Sequence, residues 1–320
     1  MDAVTEVVPL LDVRGLTKHF GRGGARAVDG IDFRLSQGEA TGLLGESGSG
    51  KTTTGRLLLR LTEPTAGEIR FDGTEIAALR GTALRSFRAR AQLVFQNPFD
   101  ALNPRFTVRQ SLTEPLRNAR VPKAEREERM MAALDLVHLP GTTATLEQYP
   151  HQMSGGQLQR VVLARALILE PSFIVADEPV SMLDVSVRAG ILNVMREIRD
   201  VLGLTAIYIS HDVALVRYVC ARTMVMYRGK IVEDGPTDAV IRAPRHPYTK
   251  ALISAVPVPR VKQNREPIPI RRADTGIATS LSIGCRFRDR CLLAHDRCAV
   301  EEPVSRLVAR DHRTACHLDL

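Results

Sequence analysis

Several groups of residues in this chain have the types and spacing to handle phosphate. Gly45-Glu46-Ser47-Gly48-Ser49-Gly50-Lys51-Thr52 fits G-x-x-x-x-G-K-[ST] at every fixed position. Its glycines permit turns closed to other residues, so successive backbone N–H groups can point inward at the β- and γ-phosphates of a nucleotide. Lys51 adds a full positive charge, and the Thr52 hydroxyl can serve Mg²⁺. Ser154-Gly155-Gly156-Gln157 is a second phosphate site: a good N-cap and paired glycines leave bare N–H groups at the positive end of a helix. Asp177 and Glu178 are adjacent carboxylates, costly unless a cation or substrate occupies the site. Asp177 is placed to hold Mg²⁺ through water, and Glu178 to polarise an attacking water. Gln96 and His211 also follow apolar runs, where a side chain can reach a bound ion or the γ-phosphate; alone, each is more often structural.

These groups need a scaffold. The apolar run Ala40 to Leu44 leads into the glycine-rich loop as a strand, and Thr53 to Leu61 reads as the helix whose dipole faces the same phosphates. Phe173 to Ala176 and Ala206 to Ile209 are buried strands that deliver Asp177-Glu178 and Ser210-His211-Asp212 at their C-terminal ends, where α/β sheets place ligands. Ala91 to Phe95 is a short strand ending at Gln96, followed by a loop through Asn97-Pro98. Leu10 to Gly15, Ala27 to Leu35 and Glu68 to Asp72 alternate apolar and polar residues, as a small antiparallel sheet beside the nucleotide would. Phe20, between the first two, can stack on an adenine ring or equally fill a core. Val108 to Leu139 reads as a helical insertion, with the charged run Lys123 to Arg129 opening an amphipathic segment, and Leu158 to Leu169 as a strongly periodic helix. Thr223 to Tyr227 and Lys230 to Asp234 form a closing hairpin through Arg228-Gly229. One chain seldom wraps both ends of one nucleotide with phosphate sites so far apart, so a second copy or a paralogue is expected to complete the pocket.

Composition narrows the class. An apolar fraction of 44% and a charged fraction of 25% over 320 residues describe an ordinary globular chain, one large domain plus an appendage. Met1 to Glu6 lacks the basic and apolar regions of a signal peptide, and the apolar segment Val161 to Val175 is broken by Arg165, Glu170 and Pro171. A cytoplasmic chain without a membrane span is expected. The net charge of +8 reads as a solvated basic surface and not a nucleic-acid site, because aromatic residues make up only 4%, Trp is absent and no nucleic-acid motif accompanies the charge. Cys285, Cys291, Cys298 and Cys316 stand at C-x5-C-x6-C-x17-C. In a reducing compartment such grouped thiolates suggest a metal or cluster; zinc is one candidate, with His295, His312 and His317 nearby, and four free thiols on a loosely folded tail are the alternative. Cys220, after a helix reading Val213 to Val219, is a core residue.

In this order the pieces resemble the nucleotide-binding subunits of ATP-binding cassette (ABC) transporters. Phe20, the loop 45–52, the Gln-loop at Gln96, the signature 154–157, the strand ending in Asp177-Glu178, the loop Ser181-Met182-Leu183-Asp184 and the switch His211 all have family counterparts, over about residues 10–240. The signature stands 23 residues before Asp177 with His211 downstream, a combination foreign to other phosphate-loop enzymes. The resemblance implies an α/β phosphate-loop NTPase cassette over residues 8–243, with a RecA-like core, an antiparallel β subdomain and an α-helical subdomain at about 100–160. A small Cys-rich extension would follow at 244–320. Two cassettes would close head to tail around two ATP molecules. In each site loop 45–52, Thr53, Phe20, Gln96, Asp177, Glu178 and His211 of one partner would meet Ser154-Gly155-Gly156-Gln157 of the other. Thr52, Gln96 and Asp177 would hold Mg²⁺, Glu178 would be the catalytic base with Gln96 and His211 beside it, and Asp184 would link the two sites. Hydrolysis adds like-charged products and reopens the pair, and the loop after Gln96 passes the motion to membrane subunits.

Within the family the likeness is to oligopeptide and dipeptide importers. It is carried by Gly45-Glu46-Ser47-Gly48, Phe95-Gln96-Asn97-Pro98 with Leu102-Asn103-Pro104-Arg105, Asp177 to Val185, and His246-Pro247-Tyr248-Thr249-Lys250-Ala251-Leu252. Asn97 departs from the usual Asp, and Met182 from the usual Ala. The implied partners are a second ATPase forming a heterodimer, two transmembrane permease subunits and an extracytoplasmic substrate-binding protein, with this chain at the cytoplasmic face of the membrane. Some of these ATPases carry a 4Fe-4S cluster on a comparable cysteine set, so a cluster on Cys285, Cys291, Cys298 and Cys316 is expected over zinc, beyond a Tyr248 to Val256 helix and outside every nucleotide motif. Nickel and glutathione importers use similar ATPases. A soluble relative acting on nucleic acid or ribosomes fits less well, since the chain has one cassette and no long coiled coil, and Glu178 argues against a silent regulatory module.

Overall fold

The computed structural model describes residues 8–21, 26–255 and 283–318, so the readings of Met1 to Glu6 and of Val256 lie outside it. The chain begins with β1 (Leu11–His19) and β2 (Arg26–Leu35), then the wholly buried β3 (Ala40–Leu44), which feeds the glycine-rich loop and helix α1 (Lys51–Leu58). Next come β4 (Ala66–Phe71), β5 (Thr74–Glu75), α2 (Gly81–Arg90) and β6 (Ala91–Val94). A helical stretch follows: α3 (Pro98–Ala101), α4 (Val108–Asn118), α5 (Lys123–Leu136), α6 (Thr143–Leu146) and α7 (Gly155–Leu167). Strands and helices then alternate through β7 (Phe173–Asp177), α8 (Val185–Leu202), β8 (Thr205–Ser210) and α9 (Val213–Val219) to β9 (Arg222–Tyr227) and β10 (Lys230–Pro236). The remainder holds α10 (Thr237–Arg242), α11 (Pro247–Ser254), α12 (Asp296–Val300), β11 (Arg306–Ala309) and β12 (His312–Thr314).

Two sheets organise these elements. The smaller has the order β2-β1-β4-β5 and is antiparallel, as the half-buried alternation of its first strands requires. The larger has the order β11-β12-β10-β9-β3-β8-β7-β6; β3, β6, β7, β8 and β9 run parallel within it. Along β8, Ala206 and Tyr208 join the core on one face and Ile207 and Ile209 the core on the other, which is why this strand reads as an unbroken apolar run. The parallel strands end together and bring residues 45, 96, 177 and 211 to one edge.

The helical insertion is present, and its charged run opens a new helix at Lys123: after α4 Arg120 has φ 61, and Pro122, with no N–H to donate, serves as the N-cap of α5. One expectation changes. The sheet does not close with the β9–β10 hairpin. β12 pairs with the outer edge of β10 (Glu233↔Thr314, Asp234↔Arg313), and β11 pairs with β12. Buried Glu233 fastens this seam: Oε1 accepts from His312 Nε2 at 2.7 Å and Arg245 N at 2.7 Å, and Oε2 from His246 N at 2.8 Å. The described part of the extension is therefore packed, not loose, and its Phe287 and Cys291 belong to the main core.

Candidate active site

The glycine-rich loop is shaped by close backbone approaches. A Cβ on Gly45 (φ 157) would lie 2.3 Å from Met226 O, and one on Gly50 (φ 108) 2.1 Å from Ala27 O. Only glycine fits at these two positions. Lys51, 6% exposed, folds back so that Nζ donates to Gly45 O at 2.7 Å and Glu46 O at 2.8 Å. Burial lowers its pKa, against the opposing charges of Glu178, Asp177 and Glu46. Thr52 Oγ1 donates to Asp177 Oδ1 at 3.2 Å. Burial raises the Asp177 pKa; the Thr52 hydrogen bond opposes the shift and the Glu178 charge adds to it.

Glu178 follows the last residue of β7 in a left-handed conformation, φ 45, with its N–H donating to Ile209 O on the neighbouring strand at 2.9 Å. A non-glycine residue there is held at a cost of about 1–3 kcal/mol, the kind of strain that clusters at working sites. The turn places its carboxylate between two side chains: Oε2 accepts from Gln96 Nε2 at 3.2 Å, and Oε1 lies 2.8 Å from His211 Nδ1. The structure thus gathers Lys51, Thr52, Gln96, Asp177, Glu178 and His211 at one sheet edge, an arrangement able to hold a metal–phosphate group and take a proton beside it.

The signature stands apart from this group. Ser154 caps α7 with a capping box: its Oγ accepts from Gln157 N at 3.3 Å, and Gln157 Oε1 accepts from Ser154 N at 3.0 Å. Ser154 and Gly155 are exposed, and a Cβ on Gly156 would meet Val187 Cγ1 at 2.7 Å. Asp184 precedes α8, and Arg188 braces the loop before it, donating from Nε to Leu183 O at 2.7 Å and from Nη2 to Ser181 O at 3.2 Å. Phe20 is 50% exposed, with Lys18 Nζ 5.2 Å from its ring centre, so the core alternative fails. Asn97 caps the unexpected short helix α3, accepting from Phe99 N at 3.1 Å.

Among the described residues the cysteines themselves touch none of these motifs, but other residues of the extension reach the glycine-rich loop. Tyr248 Oη accepts from Glu46 N at 2.8 Å, and Arg290 grips the Glu46 carboxylate with both nitrogens, Nη1 to Oε2 at 2.7 Å and Nη2 to Oε1 at 3.0 Å. Tyr248 had a signal, in the quoted His246-Pro247-Tyr248; Arg290 had none beyond lying between two cysteines. The four clustered cysteines line one small pocket with His246 and Phe287. Burial, and then the charges of the neighbouring thiols, push Cys285 up to about 11 and raise Cys316. Among the described residues, however, no group of three or more His, Cys, Asp or Glu side chains is arranged to hold a metal ion, so neither the 4Fe-4S expectation nor the zinc alternative gains support there. Cys220 is buried, as expected of a core residue.

Residues 28–181 match the family profile described as ABC transporter, and residues 232–298 the one described as oligopeptide/dipeptide transporter, C-terminal region. An ATP-binding protein of Brucella ovis named for peptide import is 48% identical over 314 residues, covering 97% of this chain and 98% of that one. The chain belongs to the ABC transporter family. Within it the cassette is an ATP-hydrolysing subunit of the oligopeptide/dipeptide importer branch. The dipeptide transport ATP-binding protein of Haemophilus influenzae is 40% identical to it over 309 residues, 94% of each chain. Among solved structures, cbiO1 of a Clostridium perfringens ABC transporter complex matches the cassette at a TM-score of 0.67 and 28% identity, covering 73% of this chain and 91% of that one. The ATP-binding cassette MJ0796, solved as a dimer in a post-hydrolysis state with ADP and Pi, matches at 0.64 and 27%, covering 71% and 98%. No helix among the described residues is long and apolar enough to cross a membrane.

Proposed function

We propose that this cassette hydrolyses MgATP on loop 45–52 to drive import of oligopeptides or dipeptides. One observation carries the chemistry: the Glu178 carboxylate, fixed by a left-handed backbone, stands between Gln96 and His211 beside the Thr52–Asp177 pair. Glu178 takes the proton of the water that attacks the γ-phosphate, while Gln96 and His211 orient that water and the phosphate. Lys51 leaves the loop carbonyls for the β- and γ-phosphates, Thr53 and the other loop amides receive the remaining oxygens, and exposed Phe20 stacks on the adenine. Thr52, Gln96 and Asp177 offer the oxygen donors that suit Mg²⁺, which when bound neutralises phosphate charge.

The exposed signature serves the ATP of a second, paralogous ATPase, whose own signature covers loop 45–52, with Asp184 at the seam. Two permeases and an extracytoplasmic binding protein complete the importer, with the cassette at the cytoplasmic face. Residues 8–243 form the cassette and 244–320 an extension whose Cys285, Cys291, Cys298 and Cys316 hold a 4Fe-4S cluster. The pocket that the four cysteines share supports this reading.

Glu178→Gln tests the chemistry. Turnover by the assembled transporter is expected to fall by about 100-fold or more, with MgATP binding by the full chain retained. The same change in the partner ATPase controls for a degenerate second site, and wild-type turnover would sink the assignment.

A further inference from the structure

Glu46 is an awkward residue for a phosphate-binding loop. Its carboxylate sits in the same loop as Lys51, near enough that its charge, after those of Glu178 and Asp177, opposes the burial that lowers the lysine's pKa, in a structure whose ligand is a polyanion. The chain answers this charge from outside the cassette core. Arg290 forms the two-pronged pair with Glu46, with its guanidinium 5.8 Å from the ring centres of both Tyr227 and Phe287. Tyr248 fixes the backbone of the same residue by accepting its N–H. These groups do not hang loosely. Tyr227, Tyr248 and Phe287 pack on one another, with ring centres 4.6, 5.3 and 5.6 Å apart, and Tyr248 and Phe287 are almost fully buried.

A second arm reaches the loop from the other side. Arg286 donates to Arg228 O and to Asp29 Oδ2, and the next residue of that turn, Gly229, donates its N–H to Ser49 O at 2.8 Å. Both arginines lie between Cys285 and Cys291, a segment tied down where Cys285 N donates to Cys298 O at 2.8 Å. The C-terminal extension therefore holds residue 46 of the glycine-rich loop directly and, through Arg286, the Arg228–Gly229 turn that bonds residue 49.

From this geometry we infer that Arg290 and Tyr248 are positioning residues for ATP binding. They brace the glycine-rich loop through Glu46, and Arg290 neutralises a carboxylate that otherwise repels the triphosphate. The inference rests on the reading that loop 45–52 binds ATP. It makes nucleotide affinity in this importer depend on how the extension is packed.

The test is a double-mutant cycle on the assembled transporter, with KM for ATP and kcat measured separately and MgATP binding measured on the full chain. Arg290→Gln is expected to raise KM about fivefold, the size of a partly exposed ion pair, with kcat and the nucleotide-free melting temperature held. In a Glu46→Gln background the same change should move KM less than about twofold, because the charge it answered is gone. Tyr248→Phe, which keeps the ring packing and loses only the hydroxyl, should raise KM about threefold and reads the brace even if Arg290→Gln folds poorly. An equal loss in both backgrounds would make Arg290 a merely structural residue and overturn the inference, as would an unchanged KM for both Arg290→Gln and Tyr248→Phe. If the unaltered chain does not bind MgATP, it is the reading of the loop that fails, and the brace with it.

Discussion

Asp177 shows how the site trades stability for chemistry. Its carboxyl is half-buried beside Glu178, and its pKa is raised from 3.8 mainly by that burial. A raised carboxyl pKa means the folded chain holds its proton to higher pH than the unfolded chain does, so without metal this group costs stability increasingly as the pH rises above about 3.8. Asp177→Asn removes the charge and keeps an oxygen for Thr52. The nucleotide-free, Mg²⁺-free chain should then melt roughly 2 °C higher at neutral pH, while Mg²⁺-dependent hydrolysis is lost; thermal scans with and without MgATP check both, and a lower melting point would refute the argument. The residues gathered here were legible in the sequence because each is announced locally, by a glycine pattern or by a polar residue at the end of an apolar run. Arg290 was not, because its meaning lies in a partner 244 positions away, and one arginine among many carries no local mark.

Among the elements, long strands with continuous burial or partial alternation were readable, and the two short strands of the extension were not. β3 and β8 are buried at every residue, and the sequence shows them as unbroken apolar runs. β11 (Arg-Leu-Val-Ala) and β12 (His-Arg-Thr) are short and arginine-bearing; they become strands only because β10 offers an open edge and buried Glu233 waits for His312. The same tertiary packing revises what the cysteines do. If a 4Fe-4S cluster fills their pocket, the anaerobically purified chain should carry about four irons and four sulfides. Cys291→Ser should lose them and make residues 283–318 more sensitive to protease. Because Arg290 is the neighbouring residue, it should also weaken MgATP binding. Protein without iron, whose packing and ATP affinity ignore the serine, would leave four plain thiols.

At the scale of the whole molecule the site in one chain is incomplete. Lys51, Thr52, Gln96, Asp177, Glu178 and His211 converge, but no hydrogen bond among the described residues ties exposed Ser154 or Gly155 to them. A capping box and paired glycines presented to solvent at a helix N-terminus make an anion site with nothing of its own chain to bind. In the proposed arrangement a second cassette turned head to tail supplies the anion, the ATP on its own loop. Ser154→Arg places a bulky side chain where the partner's phosphates must dock and removes the hydroxyl that caps α7, which alone costs about 1 kcal/mol. Hydrolysis at the site shared with the partner's loop should therefore fall steeply in the assembled transporter, while MgATP binding by the isolated full chain stays within about twofold of wild type, since its own loop is untouched. Ser154→Ala serves as the control, losing the cap but adding no bulk, and should keep most of the activity. Should Ser154→Arg weaken binding by the isolated chain as much as it weakens turnover by the complex, the signature would act within its own chain and the head-to-tail arrangement would be wrong.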